Sequence, residues 1–139
     1  MQKIILITVL FLGGIISSLA QENHTVTIDF TGMKSDKGSL FVALYNTKDS
    51  FLKEGYKGKI VKINDKKATV LFKNIPAGTY AVSSFHDVND NKKMDTNFFG
   101  IPKEPIGMSN DAKGFMGPPK YKDAKFEVTK NVTLSINVK

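Results

Sequence analysis

The sequence has no cysteine and no arginine among its 139 residues. Without cysteine there is no disulfide framework, no thiolate metal site, no cysteine nucleophile and no lipid attachment at a processed cysteine. Without arginine, bidentate guanidinium recognition of carboxylate or phosphate is excluded. All 20 basic residues are therefore lysine, set against 13 acidic residues, for a formal net charge of +7. Histidine is also scarce: only His24 and His86 are present. Such a pair cannot complete a tetrahedral zinc set without carboxylates. No H-E-x-x-H, G-x-S-x-G or phosphate-cradling G-x-x-x-x-G-K occurs. What remains is 41% apolar and 24% charged, the composition of an ordinary globular domain. The length supports one domain.

The first twenty residues read as a secretory signal peptide. Lys3 supplies the positive start, residues 4–16 are almost unbroken apolar, and Ser18-Leu19-Ala20 offers small residues at the cleavage positions. The apolar core is short for a membrane span. Cleavage is expected after Ala20, leaving a domain at 21–139 with no membrane span, in the periplasm or outside the cell.

The rest of the chain alternates with period two, which is the mark of half-buried strands. Val26, Ile28 and Phe30 alternate with polar residues, and Leu40, Val42 and Leu44 alternate with Phe41, Ala43 and Tyr45. Residues 60–63 and 68–72 flank Asn64-Asp65-Lys66-Lys67, a hairpin turn by composition. Residues 79–86, 126–128 and 132–138 complete about seven strands. This pattern predicts an all-β fold, a single antiparallel β-sandwich of the prealbumin or immunoglobulin kind. Residues 49–55 are the one stretch expected to hold a short helical turn, with Phe51 and Leu52 as its apolar contacts.

Residues 88–122 break the rhythm. They hold Pro102, Pro105, Pro118 and Pro119, which cannot donate to a ladder, so no central strand is expected there. The apolar residues Phe98, Phe99, Ile101, Ile106, Met108, Phe115 and Met116 predict a long ordered loop packed on the body. At its start lies D-x-N-x-N-x-x-x-D. Hard cations need several converging oxygens. Asp87, Asn89, Asn91 and Asp95, with the carbonyl of Lys93, supply them at the spacing of a calcium loop. Two positions depart from that pattern: Lys92 stands where positive φ favours glycine, and Phe98 stands where a bidentate glutamate belongs. A distant carboxylate such as Glu104 or Asp111 is needed to fill the gap. Weak Ca²⁺ binding and a self-capped Asx turn are the two readings of this loop.

These residues also carry a resemblance. Ile75-Pro76-Ala77-Gly78-Thr79-Tyr80 resembles the P-x-G-x-Y turn of prealbumin-like surface β-sandwiches. Together with the loop beginning at His86-Asp87, then Gly100-Ile101-Pro102-Lys103-Glu104, Ser109-Asn110 and Gly117-Pro118-Pro119, the chain is similar to a bacterial exported family known as domain of unknown function 2141. The similarity runs over residues 38–138. The family usually has glycine at the position of Lys92. The resemblance implies a secreted or periplasmic β-sandwich and no particular activity.

The expectation is an exported, noncatalytic binding or structural module of the cell envelope. Its partner would be an envelope protein, a glycan or a small ligand. Phe98, Phe99, Tyr121, His86 and Glu104 are the candidate ligand or partner residues, and His86 is also read as orienting the loop by hydrogen bonding. One alternative is a small envelope hydrolase using His86 and neighbouring carboxylates, although His86 and Asp87, being adjacent on a strand, point to opposite faces. Another is an adhesion module that takes anionic glycan or lipid through lysine. The lysines are spread along the chain without a block, which reads as a solvated surface. The export signal argues against a nucleic-acid partner.

Overall fold

The computed structural model describes residues 20–139, so the expected signal peptide and its cleavage site lie almost wholly outside the described residues. The eight strands are β1 (Asn23–Thr31), β2 (Ser39–Tyr45), β3 (Lys57–Val61), β4 (Ala68–Pro76), β5 (Gly78–Asp87), β6 (Ile106–Met108), β7 (Phe126–Val128) and β8 (Val132–Asn137). A single-turn helix, α1 (Tyr121–Ala124), and a 3-10 turn at Ser109–Asp111 complete the secondary structure. Among the described residues no helix is long and apolar enough to cross a membrane.

The strands form two sheets. One has the order β4-β1-β8; the other has β3-β2-β5-β6, with β7 pairing to β5 further along the same side as β6. Period-two alternation places Val26, Ile28 and Phe30 of β1 on the same inner face as Val70 and Phe72 of β4. Leu40, Val42 and Leu44 of β2 face them from the other sheet. All of these residues are buried, and their removal from water is the main driving force for closing the two sheets. A second, smaller cluster covers the outer face of β2 and β5. There Tyr45, Phe51, Ala81, Met108 and Ala124 pack together, joined by Tyr121. Both faces of β2 are therefore covered, as its double alternation predicts.

The structure corrects four readings of the sequence. The sandwich is antiparallel except for one pair: β1 runs parallel to β8 from Val26↔Val132 to Thr31↔Asn137. The turn at Asn64–Lys67 forms, with Asp65 and Lys66 both at positive φ and Asn64 bridged to Lys67. Its two strands nevertheless part: β3 joins β2 and β4 joins β1. A tight turn fixes only the local reversal, while sheet membership is decided by which neighbour buries the inward row. Residues 49–55 form turns and no helix, because Leu52 adopts φ 58°. An eighth strand, β6, lies inside the stretch read as a loop. It is short because Pro105 precedes it, and Gly107 fills it because a Cβ there would press on Ile136 and Ser84.

Candidate functional site

The Asp87 end of β5 carries the candidate site. Asp87 is fully buried, and its carboxylate caps the loop that follows it. Oδ1 accepts from the Asn91 N–H at 3.1 Å and Oδ2 from the Lys92 N–H at 2.9 Å. Asn89 Oδ1 accepts from the same Asn91 N–H at 3.3 Å, and Asn91 Oδ1 accepts from the Lys93 N–H at 3.1 Å. The alternating Asx residues thus satisfy backbone donors that a turn this tight leaves without ladder partners. Asp90 and Lys92 both sit in the left-handed region, with φ 58° and 67°. The position where the calcium pattern calls for glycine does take the predicted conformation, at a cost for lysine of about 1–2 kcal/mol.

Asp95 closes the loop. Its carboxylate accepts from Asn89 Nδ2 at 2.6 Å and from Asn91 Nδ2 at 2.8 Å. The Asn91 and Asn89 amides hold its carboxyl below the usual carboxylate range, with Lys93 and Lys103 helping. Asp90 is likewise held low by its hydrogen bond and ion pair with Lys92. Sequence reasoning named Glu104 as a distant carboxylate that could reach this loop. The fold brings it there: Oε1 accepts from the Val88 N–H at 3.2 Å and Oε2 from the Asp95 N–H at 3.3 Å. One side chain thereby ties the first and last turns of the loop together. In this arrangement the Asx and Glu104 oxygens serve N–H donors. Among the described residues no three His, Cys, Asp or Glu side chains are spaced to hold a metal ion. Cation binding would require the Asn89 and Asn91 amides to turn their oxygens toward Asp95.

From Asp95 the chain makes a small hairpin. The Lys103 N–H donates to the Asp95 carbonyl at 2.8 Å, and Thr96 bridges Pro102. Asn97 Oδ1 organises the tip, accepting from the Phe99 and Ile101 N–H groups at 2.9 and 3.0 Å. Gly100, with φ 76°, makes the reversal possible. On this tip Phe98 is 97% exposed and Phe99 82% exposed, with their rings in edge contact at 5.5 Å. Ile101, Phe115 and Met116 are exposed as well. The expectation that the apolar residues of this stretch pack on the body therefore holds for Ile106 and Met108 and fails for these five. They sit on tips whose short turns give their side chains no neighbouring layer to meet.

The other candidates are placed apart from that surface. His86 is 1% exposed and lies on the inner face opposite Leu40. Its Nε2 lies 2.7 Å from the Lys37 carbonyl, to which it donates, and its Nδ1 has no partner. It pins β5 to the segment before β2, with its ring almost wholly out of water. Tyr121, expected at a contact surface, packs edge-on against Phe51 at 5.7 Å. Burial, with Glu127 nearby, pushes its hydroxyl pKa up. Asp111 accepts from the Asn137 N–H, away from the loop. Near the start of β5, the Tyr80 hydroxyl donates to the Pro76 carbonyl at 2.7 Å, so the P-x-G-x-Y turn is closed by its own tyrosine.

That turn, the Asx loop and the two-sheet frame occur in the order the resemblance requires. Residues 28–135, well over half of the chain, match the family described as "Uncharacterized protein conserved in bacteria (DUF2141)". The chain belongs to that family. No curated protein and no solved structure matches this DUF2141 chain.

Proposed function

We propose that the protein is an exported, noncatalytic binding module of the bacterial cell envelope, and that the Phe98–Phe99 tip is its contact surface. The observation that carries this reading is the contrast between the tip and its base. Two large aromatics stand almost fully in water on a turn fixed by Asn97, while Asp87, Asp95 and Glu104 hold the base in hydrogen bonds. Exposed apolar patches on otherwise well-packed domains mark interaction sites. A rigid base lowers the ordering cost of binding through such side chains. The experiment is co-sedimentation of the purified protein with washed cell envelopes. Replacing both Phe98 and Phe99 by serine should weaken association by about tenfold or more, the loss expected for anchor aromatics. Association that is absent in the wild type, or unchanged in the double variant, would sink the proposal.

A second reading, weak calcium binding by the 87–95 loop, has its own support. Positive φ at Lys92 and the double capping by Asp87 match the first half of a cation loop, and Glu104 stands at its mouth. Thermal unfolding in chelator and then in about 1 mM Ca²⁺ tests it. A site with a dissociation constant of about 0.1 mM adds roughly 1.4 kcal/mol, which is several degrees in Tm for a domain of this size. Asp95→Ala should abolish the shift. A Tm that does not move with calcium assigns the loop to self-capping alone.

A further inference from the structure

The open side of the sandwich, where β3 ends one sheet and β4 ends the other, has an unusual lining. Residues directly opposite in a ladder share a face. Lys57 pairs with Leu44 and Lys59 with Val42, and both partners are buried on the inner face. Two lysines thus start where the alternation calls for apolar residues. Their stems reach across the gap to β4. Lys57 Nζ donates to the Lys73 carbonyl at 3.2 Å, and Lys59 Nζ lies 5.9 Å from the centre of the buried Phe72 ring. The alkyl stems cover the rim of the core while the ammonium groups stay at the surface. Lys73 is exposed on β4, and Lys62, Lys66 and Lys67 carry the positive charge on around the turn. Among the described residues the one lysine–carboxylate pair within 4.0 Å is Lys92–Asp90, and Lys62 also acts on that aspartate electrostatically. Asp36, at the turn end of this edge, has both oxygens occupied by the Asp65 and Lys66 N–H groups. Asp36 and Asp65 offset part of the charge at the turn end, and Asp90 that of Lys62, while Lys57, Lys59 and Lys73, the cationic rail of this edge, have no carboxylate within 4.0 Å among the described residues.

We propose that this edge binds a linear anionic polysaccharide, along a line formed by Tyr56, Lys57, Lys59 and Lys73. The shape selects a chain over a bilayer: the rail is one strand wide and, at five residues, about 17 Å long. The backbone positions of Lys57 and Lys59 lie about 6.6 Å apart along it, so their side chains leave the strand in a row, as a chain with regularly spaced charges requires. Tyr56, 41% exposed at the start of the rail with Lys57 Nζ 5.7 Å from its ring centre, adds a flat face on which a sugar ring can stack. Inward lysines also protect an edge strand from pairing with other chains. That role alone leaves the exposed tyrosine and the continuation of charge around the turn unexplained. This surface is separate from the Phe98–Phe99 tip, so its test is independent of the one above.

The test is titration of the purified protein with alginate at low and at high salt, with neutral dextran as control. Binding to alginate that weakens steeply with salt is expected. Lys57→Gln, Lys59→Gln and Lys73→Gln together should lower affinity by about tenfold, whereas Lys57→Arg, Lys59→Arg and Lys73→Arg together should retain it. Lys122→Gln, Lys125→Gln and Lys130→Gln together, around β7 on the opposite edge, remove the same charge and should change affinity less than about threefold. Equal losses in the two Gln triples would mean that net charge alone is sensed and would overturn the proposal. So would absence of alginate binding at low salt. Tighter binding to phosphatidylglycerol vesicles or to single-stranded DNA, undiminished in the 57/59/73 triple, would overturn it as well.

Discussion

Gly38 shows how one residue sets the geometry of the site. Its φ is 70°, and a Cβ at that position would run into the Asp87 carbonyl. The segment before β2 approaches the end of β5 so closely because glycine stands there, and the His86 bond to the Lys37 carbonyl depends on that approach. Gly38→Ala should cost about 2 kcal/mol or more, from left-handed strain plus the clash. Denaturant unfolding measures this directly, and a loss below about 0.5 kcal/mol would contradict the described contact. Asp95 makes a second prediction at the same scale. Hydrogen bonds from Asn91 and Asn89 lower its folded-state pKa. A lowered carboxyl favours the folded loop at neutral pH, and that contribution disappears as pH falls through the folded value, below the ordinary Asp value of about 3.9. The Asp95 carboxyl resonance in NMR should titrate below that reference. A midpoint at or above it would mean that the two amides do not hold the carboxylate.

Glu104 works between elements. It joins the start of the Asx loop to the start of the 95–103 hairpin, and the Pro105 carbonyl after it accepts from the His86 N–H at 2.9 Å. Glu104→Ala should leave the two-sheet core cooperative while releasing the loop base. The expected result is faster hydrogen exchange at the Val88 and Asp95 amides, with protection at Val42 and Val82 retained. Uniform loss of protection would show that the loop and core unfold together. Glu104 also marks the limit of sequence reading. Its charge and position made it a candidate, but that it bonds backbone donors of two separate turns follows from the hairpin at 95–103, which no periodicity announces. Six strands were legible because each has a clear apolar inward row, and the seventh, β3, was legible only at its Ile60–Val61 end. β6 was not, because three residues between Pro105 and the 3-10 turn offer too few positions for alternation to appear. Lys57 and Lys59 misled in the opposite way. They occupy inward positions that a period-two reading assigns to apolar side chains, so that reading starts β3 at Ile60 and gives no hint of a cationic rim. Phe98 and Phe99, named as contact candidates, stand exposed on their tip. Tyr121 has the same apolar character, but α1 turns it onto Phe51, and only tertiary packing separates the two outcomes.

At the scale of the whole molecule, the two proposed surfaces belong to different parts of one frame. The aromatic tip extends from the Asp87 end of β5, and the lysine rail runs along the side where β3 and β4 leave the sheets open. Each rests on a different device: the tip on hydrogen-bonded turns, the rail on strand register. Damage to one should therefore leave the other intact, and variants at the two surfaces are expected to behave additively. The frame itself is tied together over long sequence distances. β1 lies in the middle of its sheet, between β4 and the parallel β8. A ribosome or a secretion pore delivers a chain from its N-terminus. Throughout that delivery β1 presents Val26, Ile28 and Phe30 with one flank unpaired, since Val132 and its neighbours are the last strand to arrive. The sheet cannot be finished before β8 emerges, so the β1 row stays half-paired until the other seven strands have been made.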